Sequence, residues 1–143
     1  MKRAARAIGQ RVVLAKASTN EELEAAFALL VQHGVSALLV ADPFFDIRRD
    51  RIVAFAAERR LPAIYQFREF AVAGGVLSYG QSFVEIYRQN GLYAVNILKG
   101  AKPSDLPVQQ VDKFELIINV KAAKAQGIAI SDNLLSLADE IIE

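Results

Sequence analysis

Residues 97–143 read ILKGAKPSDLPVQQVDKFELIINVKAAKAQGIAISDNLLSLADEIIE. An amphipathic helix runs into this stretch and stops at Gly100, a residue type common at helix ends. A surface connection containing Pro103 and Pro107 follows over residues 102–107. Phe114, Leu116 and Ile118 then alternate with polar or outward positions, the period-2 pattern of a strand. Asn119 is placed to cap a short helix that ends at Gly127, and Ser131 to open a last one. Helix, strand and helix in this order are the pieces of a layered α/β domain.

Outward from there, the same alternation covers the rest of the chain. Residues 2–10 read as the tail of a helix ending near Gly9, and RVVLAK (11–16) as a short apolar strand. Ser18 with Glu21 and Thr19 with Glu22 form two overlapping capping boxes ahead of a helix whose apolar face is Leu23, Phe27, Leu30 and Val31. VSALLVA (35–41) is a near-continuous apolar run, the signature of a strand covered on both faces. Beyond DPFFD, a helix with Ile52, Phe55 and Ala56 inward is stopped by Pro62, and PAIY (62–65) is the next strand. Residues 67–73 fit a single turn or a short helix. Residues 76–79 fit a strand closed by Gly80, and Ser82 with Glu85 a capping box for the longest helix, which contains Gly91. The expectation is one α/β domain over residues 1–143, a three-layer lobe with a largely parallel sheet. Strands 12–15, 35–40 and 63–65 are expected parallel, with helices at 21–33 and 48–59. Its expected core is Leu23, Phe27, Leu30, Leu38, Leu39, Ile52, Phe55 and Ile64.

Composition narrows the function classes. The 143 residues are 53% hydrophobic and 23% charged, enough apolar material for a core. Seventeen basic against 16 acidic residues leave a net charge of +1, which gives no reason to expect nucleic acid or an anionic membrane as partner. Cysteine is absent, and no apolar run reaches the roughly 18 residues a membrane span requires. Residues 1–16 lack the apolar core and cleavage site of a signal peptide, so the chain as written is expected to stay in the cytoplasm.

No catalytic set emerges. One histidine and no cysteine rule out a His cluster and a Cys nucleophile, and His33 sits at a helix end beside Gly34, suited to capping or the surface. There is no phosphate loop and no dinucleotide fingerprint. Asp42, Asp46 and Asp50 recur every four residues, but Pro43 and Phe45 stand where a calcium loop needs polar ligands, so helix-start carboxylates are the plainer reading. The expectation is therefore a chain that is not an enzyme, with no metal and no cofactor.

Two loops remain. In open α/β sheets ligands bind outside the carboxyl ends of strands. Asp42, Phe44 and Phe45 follow the 35–41 run, where a carboxylate beside two rings suits an amino group on a flat ligand. The plainer alternative has Asp42 capping the next turn and the rings in the core. The glycine-bounded segment 74–80 places a hydroxyl pair, Ser78 and Tyr79, near a strand end. Its plainer alternative is a tight turn with Ser78 bonded locally.

Taken together, the wordings ALLVxDPFF, RLPAIYxFREFxxAGGVxSYG, ILKGxKPxDLPVQQ and KFELIINxKxAKAxGI resemble the substrate-binding proteins of ABC transporters, the two-lobed periplasmic binding proteins of the type I fold. The resemblance runs from about residue 5 to residue 143. It implies a second lobe with its crossover segments, the first lobe being absent from this sequence, so the fold is read as a truncated form of that type. It implies a small-molecule solute, an amino acid or aromatic acid among the candidates, held in an interlobe cleft and handed to a membrane permease. Asp42 then meets a ligand amino group, and Phe44, Phe45, Ser78 and Tyr79 fall on cleft-facing loops. The family is periplasmic. The alternative reading is a homodimeric α/β interaction module without a transport role, because a lone lobe leaves apolar faces over residues 75–118 that need a partner.

Overall fold

The computed structural model describes residues 2–107 and 113–143. Residues 108–112, part of the LPVQQ motif, lie outside the described residues. The chain divides into two units, residues 1–38 and 39–143.

In the first unit, α1 (Lys2–Ala7) is followed by an irregular segment and then by α2 (Asn20–Gln32). Thr19 is the N-cap of α2: its hydroxyl accepts from the Glu22 backbone N–H at 3.2 Å, while the Glu22 carboxylate accepts from the Ser18 N–H at 2.6 Å. Thr19 and Glu22 of the overlapping boxes read from the sequence thus satisfy two backbone donors between them. Leu23, Ala26 and Leu30, at helical spacing, are buried, and Phe27 is half-buried. The expected strand at 12–15 is not formed, and the sheet contains no such member. Four apolar residues become a strand only when a neighbour supplies ladder hydrogen bonds. Here none does among the described residues.

The second unit holds the sheet. Its elements are β1 (Leu38–Val40), a 3₁₀ turn (Pro43–Arg48), α3 (Arg49–Glu58), β2 (Ala63–Tyr65), α4 (Arg68–Val72), β3 (Leu77–Gln81) and α5 (Phe83–Leu98). A second 3₁₀ turn (Pro103–Asp105), β4 (Phe114–Asn119), α6 (Val120–Gln126), α7 (Asp132–Leu135) and β5 (Glu140–Ile142) complete it. The five strands lie in the order β1-β2-β3-β4-β5. The sheet is mostly parallel: β2 pairs parallel with β3 and β4 with β5, whereas β3 and β4 run antiparallel with Gln81 opposite Phe114. This is the α/β lobe expected from the sequence.

The pleat explains the core. Tyr65, Ser78 and Ile117 are partners across the register, so they share one face. There α4 packs, with the Phe70 ring stacked on Tyr65 at 4.8 Å and the Asn119 amide donating to the Ala71 carbonyl at 2.8 Å. Tyr65, Phe70, Ala71, Ile117 and Ile118 are all buried, together with Ile52, Val53, Phe55 and Ala56 of α3. Leu39 is 52% exposed, against the expectation of a core residue, and Leu38 and Ile64 are half-buried. β1 is the end strand, shorter than the 35–40 run, and only Val40 of its residues is buried, so the run is not covered on both faces.

Three local outcomes differ from the sequence reading. Ser82 stands at the N-cap of α5 but makes no side-chain cap, and the Glu85 carboxylate that would complete the box is instead engaged by Arg88 at 2.6 and 2.8 Å. The helix opened by Ser131 is a single turn. The chain then turns into β5, where the Asp139 N–H donates to the Leu116 carbonyl and the Leu116 N–H to the Asp139 carboxylate, both at 2.8 Å. That exchange anchors β5 on β4, and an acidic helical-looking tail becomes a strand through tertiary pairing.

Candidate functional site

Because β2 and β3 are parallel, their carboxyl ends open at the same edge of the sheet. They approach so closely that a Cβ on Gly80 would lie 1.8 Å from the Gln66 carbonyl oxygen; only glycine fits there.

Asp42 ends the segment after β1 as the N-cap of the 3₁₀ turn, its carboxylate accepting from the Phe44 N–H at 2.9 Å. The plainer reading of Asp42 as a turn cap is therefore realised. One of its carboxylate oxygens carries the cap, and the residue is exposed. Phe44 and Phe45 are half-buried and meet edge to face at 5.4 Å. The Arg48 guanidinium sits 3.8 Å above the Phe44 ring and donates to the Phe44 carbonyl. The loop is thus held by a cap, a ring pair and a cation over a ring.

Beside it lies a set of groups that the sequence reading did not single out. Asp46 Oδ1, in the same turn, and Glu69 Oε2, in the first turn of α4, are both closed to solvent without a hydrogen-bond partner, as is Gln66 Nε2 just past β2. Burial pushes the Asp46 carboxyl above its ordinary range, and the Glu69 and Asp42 carboxylates add to the rise while Arg49 and the nearby Gln66 amide oppose it. A desolvated Asp46 carboxyl beside two other carboxylates favours a proton on Asp46 or a cationic group against it. Strand-end position, applied to β2 as it was to β1, is the signal in the sequence that points to Gln66 and Glu69. The spacing of Asp42, Asp46 and Asp50 alone points only to helix-start carboxylates. Among the described residues no three His, Cys, Asp or Glu side chains are grouped to hold a metal ion.

The hydroxyl pair is split. Ser78 and Tyr79 are successive residues inside β3 rather than on a loop, so they point to opposite faces. Ser78 is 1% exposed on the face that α4 covers, and its Oγ has no hydrogen-bond partner. Tyr79 is 53% exposed and stacks on Phe114 at 5.5 Å, a diagonal pair across the antiparallel ladder. Close by in sequence, Phe67 stacks on Phe83 at 4.1 Å, and Phe83 contacts Tyr87. The structure thus gathers Asp42, Phe44 and Phe45 with Asp46 on one loop. It leaves Tyr79 on an aromatic platform and buries Ser78.

No helix among the described residues is long and apolar enough to cross a membrane. A family model described as ABC transporter substrate binding protein matches residues 1–142. An uncharacterised protein of Rickettsia prowazekii (strain Madrid E), RP367, is 33% identical over 76 residues, 53% of this chain and 25% of that protein. Among solved structures, a conserved domain protein of Vibrio cholerae superposes with a TM-score of 0.87 at 23% identity, over 98% of this chain and 47% of that one. An ABC domain from Streptococcus pneumonia in complex with L-Trp superposes with a TM-score of 0.86 at 25% identity, over 99% of this chain and 49% of that one. The ligand-free, open form of CD0873 from Clostridium difficile, a substrate-binding protein with adhesive properties, gives 0.65 at 24% identity, over 99% and 47%. The chain spans about half the length of these solved relatives and about a quarter of the curated one.

Proposed function

Since the chain belongs to the ABC transporter substrate-binding protein family, we propose that it forms one wall of a site for an amino acid with a flat side chain. The solute is then presented, unaltered, to an ABC permease. The observation that carries this reading is the gathering of solvent-closed polar atoms at the strand ends, Asp46 Oδ1, Glu69 Oε2 and Gln66 Nε2, with the Asp46 carboxyl pushed up by burial and by the Glu69 and Asp42 carboxylates. An ammonium group supplies the donors that the two carboxylates lack, with Asp42 adding negative charge at the rim, and a carboxylate supplies an acceptor for the Gln66 amide. Phe44 and Phe45 on the same loop, and the exposed Tyr79 and Phe114 rings, offer the aromatic surface that a flat side chain needs. The relative solved with L-Trp supports that choice. The groups capture and orient; none is placed as nucleophile or acid–base pair for turnover. The family is typically periplasmic or extracellular, in keeping with delivery to a permease.

One lobe buries a ligand on one side only, so millimolar binding is the expectation for this chain alone. Nuclear magnetic resonance titration with L-Trp, L-Tyr and L-Phe tests it. Shifts at residues 42–46, 66 and 69, weakened with indole-3-propionate, which lacks the amine, are expected. An unmoved spectrum with every amino acid at 10-fold the millimolar range (on the order of 10 mM, where a ligand worth only about −4 kcal/mol saturates) overturns the reading. The second reading, a homodimeric α/β interaction module, is favoured by a different observation: no residue of the 16-residue helix α5 is buried.

A further inference from the structure

We propose that capture of an amine-bearing solute at the strand ends is proton-coupled: a proton and the solute's ammonium compete for Asp46, so binding weakens as the surroundings turn acid. The inference rests on the amino-acid reading of that site and adds how the site is regulated.

The competition follows from what converges on Asp46. Asp46 lies in the 3₁₀ turn Pro43–Arg48, and Glu69 in the first turn of α4. One oxygen of each carboxyl, Asp46 Oδ1 and Glu69 Oε2, is closed to solvent. Water does not screen those oxygens, so negative charge on both is harder to hold there than on the surface. Three charged groups act on Asp46: Glu69 from α4, Asp42 from its own turn and Arg49 from α3. The two carboxylates strengthen its hold on a proton, while Arg49 and the Gln66 amide just past β2 weaken it. Arg49 Nη1 donates to the Asp46 backbone carbonyl at 3.1 Å, and the Arg48 guanidinium sits over the Phe44 ring. Two negative neighbours thus stand against one positive one.

One added positive charge relieves this field. A proton does so in the empty site, and the raised Asp46 carboxyl is the equilibrium sign of it, with burial the leading cause. A solute's ammonium does the same and needs the carboxylate in its ionised form. When the ammonium arrives, the proton on Asp46 leaves to solvent; when the proton returns, the ammonium loses its partner.

The sign of the pH dependence is fixed by this exchange. Above the Asp46 midpoint the carboxylate is ready, and affinity does not change with pH. Below it the ready fraction falls about tenfold per pH unit, and the apparent affinity falls with it. Because that midpoint lies above the value of about 3.9 of an ordinary aspartate, the loss begins in milder acid than an exposed aspartate gives. L-Trp keeps both its ammonium and its carboxylate charged between about pH 4.5 and 7, so a change in that window belongs to the protein.

Carbon-13 nuclear magnetic resonance of the Asp46 carboxyl in the 143-residue chain reads the midpoint without any ligand. It is expected above about 3.9, and lower in Glu69→Gln than in the parent. An ordinary midpoint in the parent overturns the proposal. With L-Trp at a fixed, sub-saturating concentration, the bound fraction read from the shifts of Phe44 and Phe45 is expected to fall about tenfold per pH unit below the midpoint. Asp46→Asn is expected to bind more weakly and to flatten the profile. This second measurement on the parent decides the matter if either variant fails to fold. Binding of L-Trp that does not change with pH overturns the coupling and leaves the amino-acid site standing. No binding of L-Trp, L-Tyr or L-Phe at any pH overturns both.

Discussion

Gly80 carries a demand that no other residue type meets. With a Cβ 1.8 Å from the Gln66 carbonyl oxygen, alanine forces β3 and β2 apart where their ends frame the candidate site. Overpacking against backbone costs about 1–3 kcal/mol, so Gly80→Ala is expected to lower the thermal midpoint by several degrees. It is also expected to move the resonances of Gln66; a midpoint within experimental error of the parent contradicts the contact. The sequence made Gly80 legible as a strand terminator, but its function as a spacer between two strand ends depends on a neighbour 14 positions away. The same is true of the acidic pair. Asp46 belongs to the turn after β1 and Glu69 to the first turn of α4, and nothing in either local pattern announces that one oxygen of each is closed to solvent. Asp42 was legible because its spacing to Phe44 is local, and its cap forms as the turn chemistry predicts.

At the scale of elements, local signals that needed only their own segment came through. Thr19, Asn119 and Ser131 all cap helices with their side chains. Those that needed a partner from afar did not: residues 12–15 found no ladder, and β5 arose from a segment without strand periodicity. β5 is tied to α4 as well as to β4, through Arg68 and Glu140, bonded at 2.7 and 2.6 Å across 72 residues of sequence. The hydrogen bonds from Arg68, more than its charge, hold the Glu140 carboxyl below its ordinary range. A carboxylate with a lowered folded-state pKa contributes stability above its unfolded pKa and loses it as pH falls through the folded value. Glu140→Gln is therefore expected to destabilise the chain at neutral pH and to be indistinguishable from the parent in strong acid. Both side chains are more than a third exposed, so the loss at neutral pH is expected to stay within about 1 kcal/mol. A chemical denaturation series across pH checks it; a penalty that persists in acid places the effect elsewhere.

For the molecule as a whole, the fold class was legible because alternating apolar strands and amphipathic helices leave few ways to layer a chain. Which strand would run backwards was not. The reversal between β3 and β4 depends on where the intervening stretch, with α5 in it, travels, and sequence periodicity has no term for direction. The reversal nonetheless puts Gln81 and Phe114 side by side as register partners.

That adjacency makes everything between them an excursion whose two ends already touch, as at the neck of a loop of rope. The stretch 82–113 can accordingly be cut out and the neck closed by a two-residue Asn-Gly turn, converting β3 and β4 into an ordinary hairpin. Loop-closure entropy favours the shorter connection, and no buried residue of α5 is lost with it. The miniaturised chain is expected to keep a cooperative unfolding transition and the slow amide exchange of Ile117 and Ile118. Loss of cooperativity on excision would mean that the excursion supports the sheet from which it departs.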